Sequence, residues 1–485
     1  MPGARRSANR RRSSTADVRV LFVTHDGASH EPLGLEYVSA ALKAAGHATR
    51  ACMQSQVSSS VFAWRPDFVA FQVISGDEVR WGTVASRLRQ YSPKTRIIFG
   101  GPHFLFFSKA EQDGIVVRGD GEQSIVDAVE GRTHANMHPV HELDSLSHPD
   151  RELFYNDRFP GIRDNPIRNF ISCRGCPYKC TYCYNSNLEW LAMTEGKDRL
   201  RYHSPEWIID DIERTFRDYG GRLVSFVDDI FGIDMEWLEQ FTVLYQRVRI
   251  PFFAQLRPKL ITEERVRLLK EAGIHIASFA IESGNEETRA EVLDRRESNE
   301  LIENGCSLLR KYGIKFRMQN MLGLPVADPL ADALETLRFN VKCKPTLSWC
   351  SLLQPYPGTA IADMLVRKGV VKSQEELRFL VNATFFDECS VPGLKDKRKI
   401  ERLHKYWSAV VRWPWLYPVA RALIHVNLGR KLQNWIFDKT KNYINAREYW
   451  RVELGAHVSR INSDGPLDRL GGELVRNPEK EACVG

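Results

Sequence analysis

Arg174-Gly-Cys-Pro-Tyr-Lys-Cys-Thr-Tyr-Cys183 is the stretch on which the reading of this 485-residue chain turns. Cys176, Cys180 and Cys183 share one short loop with CxxxCxxC spacing. Three thiolates so crowded can hold three irons of a cubane cluster, leaving the fourth iron open to another molecule. Cys173 extends the run to CxxC-x3-CxxC and brings two rivals. Thiolates also suit tetrahedral zinc, but zinc ribbons usually separate their cysteine pairs by about a dozen residues or more, so that a cage closes over the ion. A ferredoxin-like cluster normally takes its fourth ligand from farther along the chain. Cys173 itself reads as a thiol at a strand end.

Strand and helix patterns alternate on the carboxyl side of this loop. Strands are expected at Asn169–Ser172, Leu223–Val227, Phe252–Leu256, Ile274–Ile281, Lys315–Met321 and Leu347–Leu353. The helix Ser204–Tyr219 has a serine cap and Pro205 in its first turn, with Ile208, Ile212 and Phe216 on one face. Six βα-type units predict a partial parallel barrel, whose chemistry belongs at the carboxyl ends of its strands. Those ends carry Asp228-Asp229, Arg257-Pro258, Glu282-Ser-Gly284 and Gly323-Leu-Pro325. Gln255 and Arg257 share one strand face, as do Arg317 and Gln319. Each reads either as a ligand or substrate contact or as a structural hydrogen bonder.

Upstream, Val18–Val23, Phe68–Ile74 and Arg96–Phe99 read as apolar strands. Pro32-Leu-Gly-Leu-Glu-Tyr37 leads into a helix stopped by Gly46, and an amphipathic stretch surrounds Val84–Leu88. This alternation predicts a doubly wound, Rossmann-like sheet that binds its ligand at the strand carboxyl ends. Ser75-Gly76, Gly100-Gly-Pro-His103 and Gly119-Asp-Gly-Glu122 stand there.

The cysteine run resembles the signature loop of the radical S-adenosylmethionine (radical SAM) enzymes. The order PLGLEY, GGPH and GDGE resembles the cobalamin-binding domain that precedes one large radical SAM subfamily, which includes class B-type methyltransferases and anaerobic magnesium-protoporphyrin monomethyl ester cyclases. The resemblance spans about residues 17 to 370. It implies a [4Fe-4S] cluster on Cys176, Cys180 and Cys183, with SAM on the open iron. It also implies SAM contacts by Glu282 (ribose), Tyr182 and the Gly323-Leu324-Pro325 turn (adenine), and Asp229, which stands where relatives hold the amino group. Cobalamin contacts fall on Leu33, Gly34, Ser75, Gly100, Gly101 and Glu122. The DxHxxG motif that ligates cobalt in many cobalamin proteins is missing, so His25, His30, His47 and His103 are not expected to ligate cobalt through it.

Composition bounds the rest. Hydrophobic content is 43% and mean hydropathy −0.36. No apolar run reaches the roughly 20 residues of a membrane span. Arg5, Arg6, Arg10, Arg11 and Arg12 account for five of the net +7 charges, so nucleic-acid binding has little support. Ten cysteines suit a reducing cytoplasm. The expected plan is a basic tail (1–16), a cobalamin domain (17–140), a linker (141–164) and a radical SAM partial barrel (165–368). An aromatic, basic, mostly helical cap (369–465) and a tail (466–485) follow. The cap is expected to close the barrel, a purely packing role and contact with a membrane surface being its other readings.

The resemblance implies methyl transfer from methylcobalamin to a carbon of a small-molecule substrate by way of a 5′-deoxyadenosyl radical. A flavodoxin- or ferredoxin-type electron donor and a monomeric state are expected. An oxidative cyclase or rearrangement enzyme is the alternative within enzymes. A cobalamin- or metal-sensing binding protein is the alternative outside them.

Overall fold

The computed structural model describes residues 17–107, 113–132, 139–187, 199–378, 380 and 386–448. The expected tails at 1–16 and 466–485, and the last part of the expected cap, lie outside the described residues. Two parallel sheets organise the chain. The first has strand order β2-β1-β3-β4-β5, with β1 Arg19–Thr24, β2 Ala48–Met53, β3 Phe68–Gln72, β4 Arg96–Gly100 and β5 Ile115–Val116. Every pairing in it is parallel, and helices join its strands. Its central strands are continuous apolar runs because both faces are covered: Val20, Phe22 and Ala70 pack to one side, Leu21, Val69 and Phe71 to the other. Strand β2 was not expected. At the sheet edge its first three residues are exposed or half-buried, so it lacks the apolar signature of the central strands.

The second sheet runs β13-β12-β11-β10-β9-β6, again wholly parallel. Its strands are β6 Ile167–Phe170, β9 Leu223–Phe226, β10 Phe252–Leu256, β11 Ile274–Glu282, β12 Lys315–Leu322 and β13 Leu347–Leu352. This is the six-stranded partial barrel expected from the sequence. A short antiparallel pair, β7 Cys173–Arg174 with β8 Arg201–Tyr202, frames the cysteine loop. The helices begin where local chemistry directs: Ser204 Oγ accepts from Trp207 N at 3.2 Å, and Thr262 Oγ1 from Arg265 N at 3.4 Å. Gly273, at φ +96°, ends the second of these helices in the left-handed region.

The helix Lys397–Arg412 lies along β13 and the helix Pro329–Cys343. Trp407 Nε1 donates to Ser348 Oγ at 2.7 Å, and the His404 ring nitrogen Nε2 lies 3.0 Å from the Cys350 carbonyl. The C-terminal helices therefore cover the last strand of the barrel.

The carboxyl ends of the two sheets meet. Phe106, six residues past the end of β4, stacks on Tyr356, four residues past the end of β13, with ring centroids 4.6 Å apart. Residues 141–164 fasten the halves together instead of running free between them. Asp150 accepts from Lys43 Nζ (2.7 Å) and Ser39 Oγ (2.5 Å). Buried Arg151 pairs with Glu31 of the first half and, at 3.2 Å, with Asp211 of the second, and donates to the Asn169 carbonyl at 2.9 Å. Asp144 accepts from Ser204 N at 3.0 Å. Removing one member of a buried ion group strands the other charges, at about 3–5 kcal/mol.

Candidate active site

The cysteine loop leaves β7 through Gly175, whose φ of +94° and position against the Arg199 carbonyl (a Cβ would lie 2.0 Å away) admit only glycine. Arg199 then holds the loop backbone, donating to the carbonyls of Cys176 and Tyr178 at 3.0 Å each. Farther along, Thr181 is tied at both ends: its Oγ1 donates to the Val292 carbonyl (2.7 Å) and its carbonyl accepts from Ile361 N (2.9 Å). The loop is thus braced against three other segments.

The structure brings Cys176, Cys180 and Cys183 together, each thiol within electrostatic reach of another. Burial pushes the Cys176 thiol up to about 11 and that of Cys183 up to about 12, and the neighbouring Asp229 carboxylate adds to both. Only a strong counter-cation would make them thiolates at neutral pH. Two buried guanidinium groups stand at Cys180: Arg257 Nη1 is 3.3 Å and Arg295 Nη1 3.7 Å from its Sγ. Cys173 is separate. It lies buried in β7, with its N–H donated to Asp228 and its thiol beside Tyr202. A trio of thiols backed by arginines fits an anionic cluster.

The two aspartates that end β9 are sorted by the fold. Asp228 Oδ1 accepts from Ser172 N (2.8 Å) and Ser172 Oγ (2.9 Å), tying the end of β6 to the end of β9. Its burial raises its pKa to about 7 despite those bonds. Asp229 accepts from Tyr184 Oη at 2.8 and 2.9 Å and faces the cysteines. Glu282 closes β11 after a register shift, buried and at φ +66°, a conformation rare outside glycine and commonest at functional sites. Tyr182 Oη donates to Glu282 Oε1 at 2.7 Å, and Arg295 Nη1 reaches Tyr182 Oη at 3.3 Å. Burial raises the Glu282 carboxyl, opposed by Arg295, Tyr182 and Arg257. The Gly323-Leu324-Pro325 turn is buried, with Gly323 at φ +79°; a Cβ there would lie 2.6 Å from Cys389 Sγ. Inside the barrel Gln255 Nε2 donates to Gln319 Oε1 at 3.1 Å, while Arg317 lies over the rings of Phe253 (4.6 Å) and Trp349 (5.9 Å) and donates to Ser278 Oγ at 3.0 Å.

Sequence reading passed over Arg295 and Glu297. Asp294-Arg-Arg-Glu297 reads as a solvated charged loop, yet Arg295 and Glu297 are buried and Glu297 clamps Arg257. Only the partner at the end of β10 distinguishes this run from an ordinary loop.

Across the interface, the mouth of the first sheet is built mostly of backbone. Gly101, at φ +106°, puts a would-be Cβ 2.8 Å from the Val73 carbonyl. Gly100 is beside it, Ser75 Oγ lies 3.1 Å from His103 Nδ1, and Leu33 and Gly34 open the helix after β1. Ile74 (42% exposed) and Val79 (66%) leave apolar surface at this rim. These small groups fit a wide, flat macrocycle approached by main chain. Of the four histidines, His103 is buried against Phe107, His47 is buried beside Glu130, His25 bonds Asp77 and Arg80, and His30 bonds Ser29. Glu122 pairs with Arg174 at 2.6 Å, and Asp120 pairs with Arg174 (3.2 Å) and Arg201. Tyr37 of the PLGLEY segment packs under the same Arg174, 5.1 Å from its ring centroid. The turn before the helix Gly121–Val129 thus grips both strands that frame the cysteine loop.

Two family models match this arrangement: the radical SAM superfamily over residues 170–339 and the B12 binding domain over residues 19–129. The chain belongs to the cobalamin-binding radical SAM enzymes. The cofactors of this family are a [4Fe-4S] cluster, SAM and cobalamin. Its relatives include an uncharacterized methyltransferase of Pyrococcus horikoshii, 22% identical over 71% of this chain and 80% of that protein. The hopanoid C-3 methylase of Methylococcus capsulatus is 26% identical over 68% of this chain and 67% of its own length. The fold is similar to that of the radical SAM methyltransferase TsrM from Kitasatospora setae, solved with a tryptophan substrate and a SAM analogue (TM-score 0.58, 14% identity, 72% of this chain and 77% of that one). Among the described residues of this radical SAM enzyme, no helix is long and apolar enough to cross a membrane.

Proposed function

We propose that this enzyme is a cobalamin-dependent methyltransferase that acts on a carbon of a small-molecule substrate. The observation that carries the reading is the meeting of the two strand-end mouths, joined by the Phe106–Tyr356 stack and the Glu122–Arg174 pair. It is supported by the relatives that bear methyltransferase names. When bound, cluster, SAM and cobalamin together supply a carbon-abstracting 5′-deoxyadenosyl radical and a transferable methyl group. The residues then divide the work. Cys176, Cys180 and Cys183 hold the cluster, and Arg257 and Arg295 compensate its negative charge. Glu282, held by Tyr182, accepts hydrogen bonds from the ribose hydroxyls, and Asp229 faces the SAM ammonium. The Gly323-Leu324-Pro325 backbone lines the adenine. Leu33, Gly34, Ser75, Gly100 and Gly101 seat the macrocycle by shape. Glu122 serves this site by positioning Arg174 and hence the cysteine loop. The polar and aromatic wall of Gln255, Gln319, Arg317 and Trp349 faces the substrate and keeps bulk water from the radical. An external one-electron donor of the flavodoxin or ferredoxin class completes the cycle.

Anaerobic reconstitution with iron, sulfide, cobalamin, SAM and a reductant tests the reading. The wild-type chain is expected to form both 5′-deoxyadenosine and S-adenosylhomocysteine. Cys180→Ala is expected to form neither. Formation of 5′-deoxyadenosine alone in the presence of the substrate would favour an oxidative reaction over methyl transfer.

A further inference from the structure

The C-terminal helices carry a surface that the active site does not use. Trp415 (72% exposed), Val419 (49%) and Ala422 recur at i, i+4 and i+7 through the turn Pro414–Leu416 and the helix Tyr417–Leu423, all exposed, and exposed Val426 (48%) follows three residues past the helix end. A second stripe follows on the helix Arg430–Glu448, where Leu432 (46%), Trp435 (57%) and Tyr443 (49%) share one face while Gln433 and Ile444 point into the protein. The rings of Trp413 and Tyr443 lie 6.0 Å apart, joining the start of the first stripe to the end of the second. Scattered exposed apolar residues are ordinary, but two helical stripes that converge are not.

Charge singles out the occupant. Residues 412–441 hold six Arg or Lys and one acid, Asp438, a net +5 in a chain whose total is +7. Arg421, Arg430, Lys431 and Lys439 are exposed beside the stripes, and Lys439 stands on the same face as Trp435 and Tyr443. Tryptophan and aliphatic side chains on one side, flanked by Lys and Arg, are the composition of helices that lie in a lipid interface. We infer that this surface docks the enzyme on an anionic phospholipid membrane, with the helices lying flat on the headgroups. The inference is independent of the methyl-transfer reading.

Flotation of the full-length chain with vesicles tests it, using phosphatidylglycerol mixed with phosphatidylcholine against phosphatidylcholine alone. Binding is expected to the anionic vesicles and to weaken as salt rises. The double variant Trp415→Glu/Trp435→Glu is expected to lose it. Lys431→Gln/Lys439→Gln is expected to weaken it roughly 20-fold. All variants keep the arginine-rich residues before Asp17, so the loss belongs to this surface. 5′-Deoxyadenosine formation without vesicles, unchanged in the variants, shows that they fold. Equal binding to neutral vesicles, or undiminished binding by the tryptophan variant, would overturn the inference. So would self-association that the tryptophan variant abolishes while wild type ignores vesicles, since the occupant would then be a second copy.

Discussion

The two parallel sheets of this enzyme end in opposite kinds of chemistry. Where the barrel strands end, charge is concentrated: Glu282, Arg257, Arg295 and Glu297 are all buried within one set of contacts around Cys180. Where the N-terminal strands end, Gly100, Gly101, Gly34 and Ser75 offer backbone and small groups. An anionic cluster and a cationic sulfonium demand paired charges held in place before they bind, because a low-dielectric site penalises any charge left alone. A broad macrocycle demands room, and glycine supplies it by having no side chain. The chemistry of one mouth suits binding by electrostatics, that of the other binding by shape.

That contrast can be broken at its charged end first. Glu282→Gln removes the one carboxylate at the end of β11 and is expected to lower 5′-deoxyadenosine formation by about 100- to 1,000-fold. Iron content and cobalamin retention should be unchanged; a loss of iron would move Glu282 from SAM binding to support of the cluster. The junction between the mouths comes next. Glu122→Ala leaves the mostly buried Arg174 with Asp120 as its remaining carboxylate partner and is expected to cost about 2 kcal/mol in chemical denaturation. Adding Arg174→Ala should recover part of that loss, a non-additivity that a merely additive surface pair would not show.

The shape-based end is tested by Gly101→Ala. Its added Cβ meets the Val73 carbonyl at a φ that alanine resists, at a cost of about 2 kcal/mol. Cobalamin retention should fall while 5′-deoxyadenosine formation without cobalamin is kept; if both fall together, the two mouths are not separable. The smallest effect sits away from both. Burial holds His404 at about 3, so it is neutral in the folded state. Its folded pKa is depressed below the unfolded value of about 6.5, so acid favours the unfolded chain as pH drops from about 6.5 toward 3. Between pH 6.5 and 5.5 the loss is about 1 kcal/mol. In His404→Leu, urea titrations at those two pH values should differ by that much less, whatever the variant's overall stability. Asp228, raised to about 7, has the opposite sign, its stabilising contribution fading as pH rises from about 4 to 7.

Much of this architecture was legible because it is local. Six strands of apolar pattern separated by capped helices have one economical arrangement, and the helices at Ser204 and Thr262 begin where their caps stand. Local patterns failed where burial did not follow pattern. Strand β2 went unseen because an edge strand need not be apolar on both faces. Arg295 went unseen because a charged run is ordinarily solvated. The stretch 141–164 looked like a connector because its hydrogen-bonding partners lie on other elements, Ser39 and Lys43 among them.

The amino-acid order alone established the trio of thiols on one loop, the glycine turns and the two rounds of strand–helix alternation, since each depends on residues a few positions apart. Tertiary structure decided what those pieces face. Glu122 meets Arg174 across 52 residues, Arg295 meets Cys180 across 115, and Arg151 binds Glu31 across 120. Such meetings follow from how two sheets are stacked and aimed, which no short window of chain contains. A buried charge finds its partner in space, and the chain reveals that partner only after folding.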